Sequence, residues 1–69
     1  MTKRQKEIYS FILEFHEEHG YSPTLNEICK GCYTTAKPYI RETLWKLEEW
    51  GFIRWDDSRR RSIVILKRL

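Results

Sequence analysis

The 69 residues predict a mostly α-helical domain closed by a small β-hairpin. Up to Gly51, apolar residues recur at spacings of three and four, the period of one helix face. Beyond Gly51 the period changes. Phe52-Ile53-Arg54-Trp55 and Ser62-Ile63-Val64-Ile65-Leu66 are β-branched and aromatic runs flanking a polar turn. Length sets the scale: residues 1–69 amount to one small domain whose core is marginal. Three Trp, four Tyr and three Phe supply the burial that such a core needs.

The first helix is expected over about residues 3–19. Thr2-Lys3-Arg4-Gln5 is a capping box, in which a Thr hydroxyl and a Gln amide satisfy the free N–H groups of a helix start. Ile8, Phe11, Ile12 and Phe15 form its apolar face. Tyr9 and Leu13 form a second stripe, either a dimer face or the flank of a wide core. His19-Gly20 closes the helix, with Gly20 free to turn left-handed. Ser22-Pro23 forces an extended connector, beside which a minimal third strand near Tyr21 has room. Thr24-Leu25-Asn26-Glu27 is a second capping box, and helix 2 follows over about residues 25–30, with Leu25 and Ile28 inward. Gly31-Cys32-Tyr33-Thr34 makes a turn. Helix 3 runs over about residues 36–50: Pro38 fits only its first turn, Ile40, Leu44 and Leu47 face inward, and Gly51 ends it. Trp50 is expected under the hairpin. Trp45 either covers the core's edge beside Arg41 or makes a subunit contact, and the edge is the reading we prefer. The hairpin spans about residues 52–66, with Arg59, Arg60 and Arg61 at its tip.

Charge is unevenly distributed. Residues 1–34 carry four Lys/Arg against five Glu, whereas residues 35–69 carry nine Lys/Arg against five Asp/Glu. A basic half joined to a near-neutral one suits a face that meets a polyanion. Other classes are excluded by what the chain lacks. No apolar run approaches the roughly 20 residues of a membrane span, and no signal peptide opens the chain, so a cytoplasmic location is expected. Glu17 and Glu18 have neither a nucleophile nor an apolar pocket beside them, and no catalytic constellation occurs elsewhere. The expectation is a non-enzyme without a cofactor.

Two helices joined by a tight turn, the second one longer, make a helix-turn-helix unit, and a hairpin directly after them makes it winged. The arrangement suits double-stranded DNA, whose major groove is about 12 Å wide and admits one α-helix. Both parts carry cations: Lys37, Arg41 and Lys46 on helix 3, and Arg59, Arg60 and Arg61 on the wing, the last three placed to meet phosphates. Glu48 and Glu49 lie at the far end of helix 3, away from the base-reading start.

Several stretches together resemble the N-terminal DNA-binding domain of the LexA repressor family. They are Thr2-Lys3-Arg4-Gln5-Lys6-Glu7-Ile8, Phe11-Ile12, Glu17-Glu18-His19-Gly20-Tyr21-Ser22-Pro23, Asn26-Glu27-Ile28 and Leu44-Trp45-Lys46-Leu47-Glu48-Glu49-Trp50-Gly51-Phe52-Ile53-Arg54. The resemblance covers nearly the whole chain. It implies a winged helix-turn-helix and a transcriptional repressor acting by operator occupancy, with a homodimer on a palindromic site as one arrangement. That family reads bases from the start of helix 3, which here places Ala36, Pro38, Tyr39, Arg41 and Glu42 at base edges, with Thr35 and Lys37 beside them. The family's turn glycine falls where this chain has Tyr33, and Gly31 stands two residues earlier, which predicts a rebuilt turn. In the family a self-cleaving peptidase domain follows and supplies dimerisation. That domain also supplies the damage response, and the resemblance of these residues alone implies neither.

Two further readings compete with DNA binding. One is a protein-interaction module using Tyr39, Glu42 and Trp45. The other is a metal- or thiol-responsive regulator. Cys29-Lys30-Gly31-Cys32 is a C-x-x-C, and with His16 and His19 it offers the two Cys and two His of a zinc set. Core packing is the preferred account of both cysteines, because a free Cys packs readily as a small hydrophobe and the resembling family has Ala and Leu there.

Overall fold

A computed structural model describes residues 1–67. Three helices, α1 (Lys3–His19), α2 (Leu25–Gly31) and α3 (Lys37–Glu49), precede strands β1 (Ile53–Arg54) and β2 (Val64–Ile65). The strands pair antiparallel, Ile53 opposite Ile65 and Arg54 opposite Val64. Among the described residues the sheet has these two strands, and no helix is long and apolar enough to cross a membrane. The result is a winged helix-turn-helix.

Local chemistry fixes both ends of α1. The Thr2 hydroxyl accepts from the Gln5 N–H at 3.1 Å, and the Thr2 N–H donates to Gln5 Oε1 at 2.8 Å. At the other end Gly20 takes φ 79°, and its N–H donates to the His16 carbonyl. Ile8, Tyr9 and Ile12 are fully buried, while Phe11 and Leu13 pack against them. The second stripe on α1 is therefore the flank of a wide core. Thr24 and Glu27 repeat the reciprocal cap at the start of α2.

In the turn after α2, Tyr33 takes φ 55°, in the left-handed region that favours glycine, and is 95% exposed. A β-carbon at Gly31 would run into the Phe11 ring, so glycine is needed at that position for close packing against α1. Arg4 closes α2 from a distance, its Nη2 donating to the Cys32 carbonyl at 2.7 Å.

Ile40, Thr43, Leu44 and Leu47 make the inner face of α3. Thr43 belongs there because its hydroxyl donates to the Tyr39 carbonyl at 3.0 Å, satisfying itself within the helix. The helix ends in a Schellman turn. Gly51, at φ 83°, donates to the Glu48 carbonyl, and Phe52 donates to that of Leu47. This reversal aims Phe52, not Trp50, at the core. Phe52 meets Tyr9 at a ring separation of 5.4 Å, and Trp55 packs against the core, while Trp50 stays 41% exposed. The two strands are shorter than the two apolar runs of the hairpin because the chain between them bends into a braced loop.

Candidate nucleic-acid interface

The exposed side of α3 carries two stripes. At helical spacing, Tyr39, Glu42 and Lys46 fall on one, open to solvent together with Thr35, Ala36 and Pro38 at the helix start. Lys37, Arg41 and Trp45 fall on the other, four residues apart, and this stripe faces the wing. Trp45 meets Trp55, with ring centroids 6.0 Å apart, yet remains 52% exposed. Lys37 and Arg41 then share a cleft of ≈ 320 Å³ with Arg59, Arg60 and Arg61 of the wing, with Thr24 at the cap of α2 and with Asn26 of α2. Five cations predicted from the sequence thus converge from two elements. Asn26 joins them unpredicted, since a polar residue in a helix's first turn reads simply as solvated.

The start of α3 differs from the starts of α1 and α2. Ala36 occupies the cap position with no side chain to offer; the Lys37 N–H donates to the Thr35 carbonyl, Pro38 has no N–H, and the Tyr39 N–H donates to the Ala36 carbonyl. The Ala36 N–H itself donates to the Thr34 hydroxyl at 3.0 Å, which turns the chain into the helix.

The five cations are not equivalent. Arg41 is half-buried and donates from Nη1 to Asp57 Oδ2 at 2.7 Å, joining α3 to the wing tip. Arg61 turns back onto the fold. Its Nη1 donates to Glu27 Oε1 at 2.8 Å and to the Ser22 carbonyl at 3.0 Å, and its Nη2 donates to Glu27 Oε2 at 3.1 Å. Its guanidinium carbon lies 4.6 Å from the centre of the Tyr21 ring. The Arg61 hydrogen bonds, with the Thr24 N–H next, hold the Glu27 carboxyl below its ordinary value, and Glu27 raises Arg61 above its own. Among the described residues, the side chains of Arg59 and Arg60 form no hydrogen bond or ion pair. Of the three arginines, Arg61 is the one hydrogen-bonded back onto the fold among the described residues.

The wing tip is braced by its own polar groups. Asp56 Oδ1 accepts from the Ser58 N–H at 3.0 Å and from the Ser58 hydroxyl at 2.7 Å. These two bonds, the hydroxyl's foremost, hold the Asp56 carboxyl below its ordinary value. The Ser62 hydroxyl donates to the Asp56 carbonyl at 2.6 Å across the loop. At the base, Glu48 accepts from the Trp55 N–H at 3.3 Å, giving the end of α3 a part in seating the wing.

The cysteines and histidines are dispersed. Cys29 and Cys32 are free and buried at the end of α2, and burial pushes the Cys32 thiol up. His16 borders Ile63 and the second wing strand. His19 instead stacks with Phe15 and Tyr21, at ring separations of 4.2 and 5.6 Å. Among the described residues no group of three or more His, Cys, Asp or Glu could hold a metal ion. The four residues of the zinc alternative are thus not brought together.

Among known proteins, residues 1–62 match the family described as the LexA DNA binding domain. The chain is 36% identical over 67 residues to the LexA repressor of Koribacter versatilis, which covers 97% of this chain and 32% of that protein. It is 45% identical over 64 residues to the LexA repressor of Clostridium novyi, covering 93% and 31% respectively. Against the LexA repressor of Staphylococcus aureus the identity is 36% over 66 residues, covering 96% and 32%. The chain spans about a third of the length of these curated relatives.

Proposed function

The chain belongs to the LexA DNA-binding-domain family, and from that premise we propose that it binds double-stranded DNA sequence-specifically and represses transcription by occupying an operator. The observation that carries this reading is the convergence of Lys37 and Arg41 of α3 with Arg59 and Arg60 of the wing around one cleft. A helix of 13 residues with an open polar stripe fits the major groove, and a basic hairpin beside it reaches the flanking backbone.

The roles divide by stripe. Ala36, Pro38, Tyr39 and Glu42 face base edges, and Glu42 suits a cytosine amino group as acceptor. Arg41 suits a guanine edge, for which it must exchange Asp57 for the base. Thr35, Lys37 and Lys46 flank the reading positions. Arg59 and Arg60 meet phosphates, which position the protein without reading sequence. Blocking a promoter needs no chemistry from these residues.

Selecting bound duplexes from a random pool tests the reading, and a consensus site retained in a salt-dependent way is the expected result. A half-site repeated about a two-fold axis would mean that two copies bind together. On the selected site Arg41→Ala should cost about 1–3 kcal/mol and relax preference at one base pair. Retention of no duplex at low salt would overturn DNA binding and favour a protein partner for the Tyr39, Glu42 and Trp45 surface.

A further inference from the structure

We propose that Arg61 is a positioning residue that clamps the wing to α2, leaving Arg59 and Arg60 as the cations the wing tip offers to DNA. The inference rests on the DNA-binding reading and assigns different work to neighbouring arginines of identical charge. Three consecutive parts of the chain receive the Arg61 guanidinium: the Tyr21 ring, the Ser22 carbonyl and the Glu27 carboxylate. Contact with both carboxylate oxygens is the bidentate geometry that a guanidinium forms and an ammonium does not.

Glu27 is oriented before the wing arrives. Its Oε1 also accepts the Thr24 N–H at 2.9 Å, so the cap of α2 holds the carboxylate in place for Arg61. The Arg61 backbone lies at φ 53°, in the left-handed region that a non-glycine residue keeps only where its surroundings determine it. A ladder of two residue pairs offers the wing little orientation of its own. The clamp adds to the Glu48–Trp55 and Arg41–Asp57 hydrogen bonds in setting where Arg59 and Arg60 stand relative to Lys37 and Arg41. Both members of the pair shift in the direction that mutual stabilisation requires, Glu27 downward and Arg61 upward.

The decisive test is the sign of one neutral substitution. Glu27→Gln keeps the capping box, since Gln5 caps α1 in that same role. If Arg61 met a phosphate, Glu27→Gln would release it, remove a nearby anion and tighten binding. As a clamp, the pair loses its charge, and affinity for the selected duplex should fall roughly two- to fivefold, the scale of a partly exposed ion pair. Arg61→Lys should fall with it, because a point charge does not replace the fork. Arg59→Ala and Arg60→Ala should each lower the slope of log affinity against log salt by about 0.9, whereas Arg61→Ala should leave the slope as in the parent. Glu27→Gln in an Arg61→Ala background should weaken binding no further. Circular dichroism at the assay temperature verifies that each variant is folded. Tighter binding by Glu27→Gln, or a slope lowered by Arg61→Ala with full affinity in Arg61→Lys, would overturn the clamp and leave DNA binding standing. A parent chain that retains no duplex would overturn the functional reading and the clamp together.

Discussion

Thr2 meets Gln5, and Thr24 meets Glu27, across three residues of chain, whereas Arg61 reaches back 34 residues to Glu27 and 39 to Ser22. The two side-chain caps of the helical half form within single turns, while Arg4 reaches 28 residues to the Cys32 carbonyl. The wing has two ladder pairs and a braced loop of its own, and takes part of its seat from residues that precede it by half the chain. Similar hydrogen-bond chemistry thus specifies shape locally in one region and placement at a distance in the other.

Removing core that both halves share tests that division most severely. Leu44 is fully buried, and Leu44→Ala should cost about 2–5 kcal/mol in a denaturant titration. Helix signal and wing protection should be lost together. A wing that outlasts the helices would break the comparison, because a placed element cannot survive its support. A change confined to the helical half comes next. Gly31→Ala forces the Phe11 ring aside and should cost about 1–3 kcal/mol, with the salt slope for DNA unchanged.

The third change should stabilise. Tyr33 holds a left-handed backbone with almost no burial in return, so Tyr33→Gly should raise stability by about 1 kcal/mol. A loss would show that the exposed ring does something the turn needs. The smallest effect belongs to acid. The folded-state value of Glu27 is depressed, so its contribution is complete above the ordinary glutamate range and is lost as pH falls through the depressed value. Asp56, depressed by Ser58, adds to the same acid limb. Glu27→Gln should flatten that limb only in part, because the Arg61 pair is about a third exposed on each side. An unchanged acid limb would place the carboxylate outside the energetics of the wing.

Legibility in the sequence followed the same boundary. The caps of α1 and α2, the inward faces and the Gly51 stop are local signals, and each was readable as chemistry between residues a turn apart. Trp50 reads as packing under the hairpin, whereas the Schellman turn brings Phe52, two residues on, against Tyr9 and leaves Trp50 41% exposed. Thr43 reads as polar until its bond to Tyr39 hides the hydroxyl. On the candidate site, the basic character of α3 and the wing was visible as composition. The separation of Arg61 from Arg59 and Arg60 was not, since nothing in an arginine run marks the member facing a glutamate in another element. Asp57 was equally silent: only the fold brings it to Arg41.

A ladder of two pairs also sets a clock. Helical turns form within about a microsecond and hairpins within about ten, so opening and reseating of a two-pair wing is a fast event. Encounters with DNA at cellular concentrations are far slower than either event. The duplex therefore meets a population already at equilibrium between seated and unseated wings. On the proposed reading, unseating adds no delay to association; it multiplies the affinity by the seated fraction, so whatever tightens the wing raises affinity without any new contact to DNA.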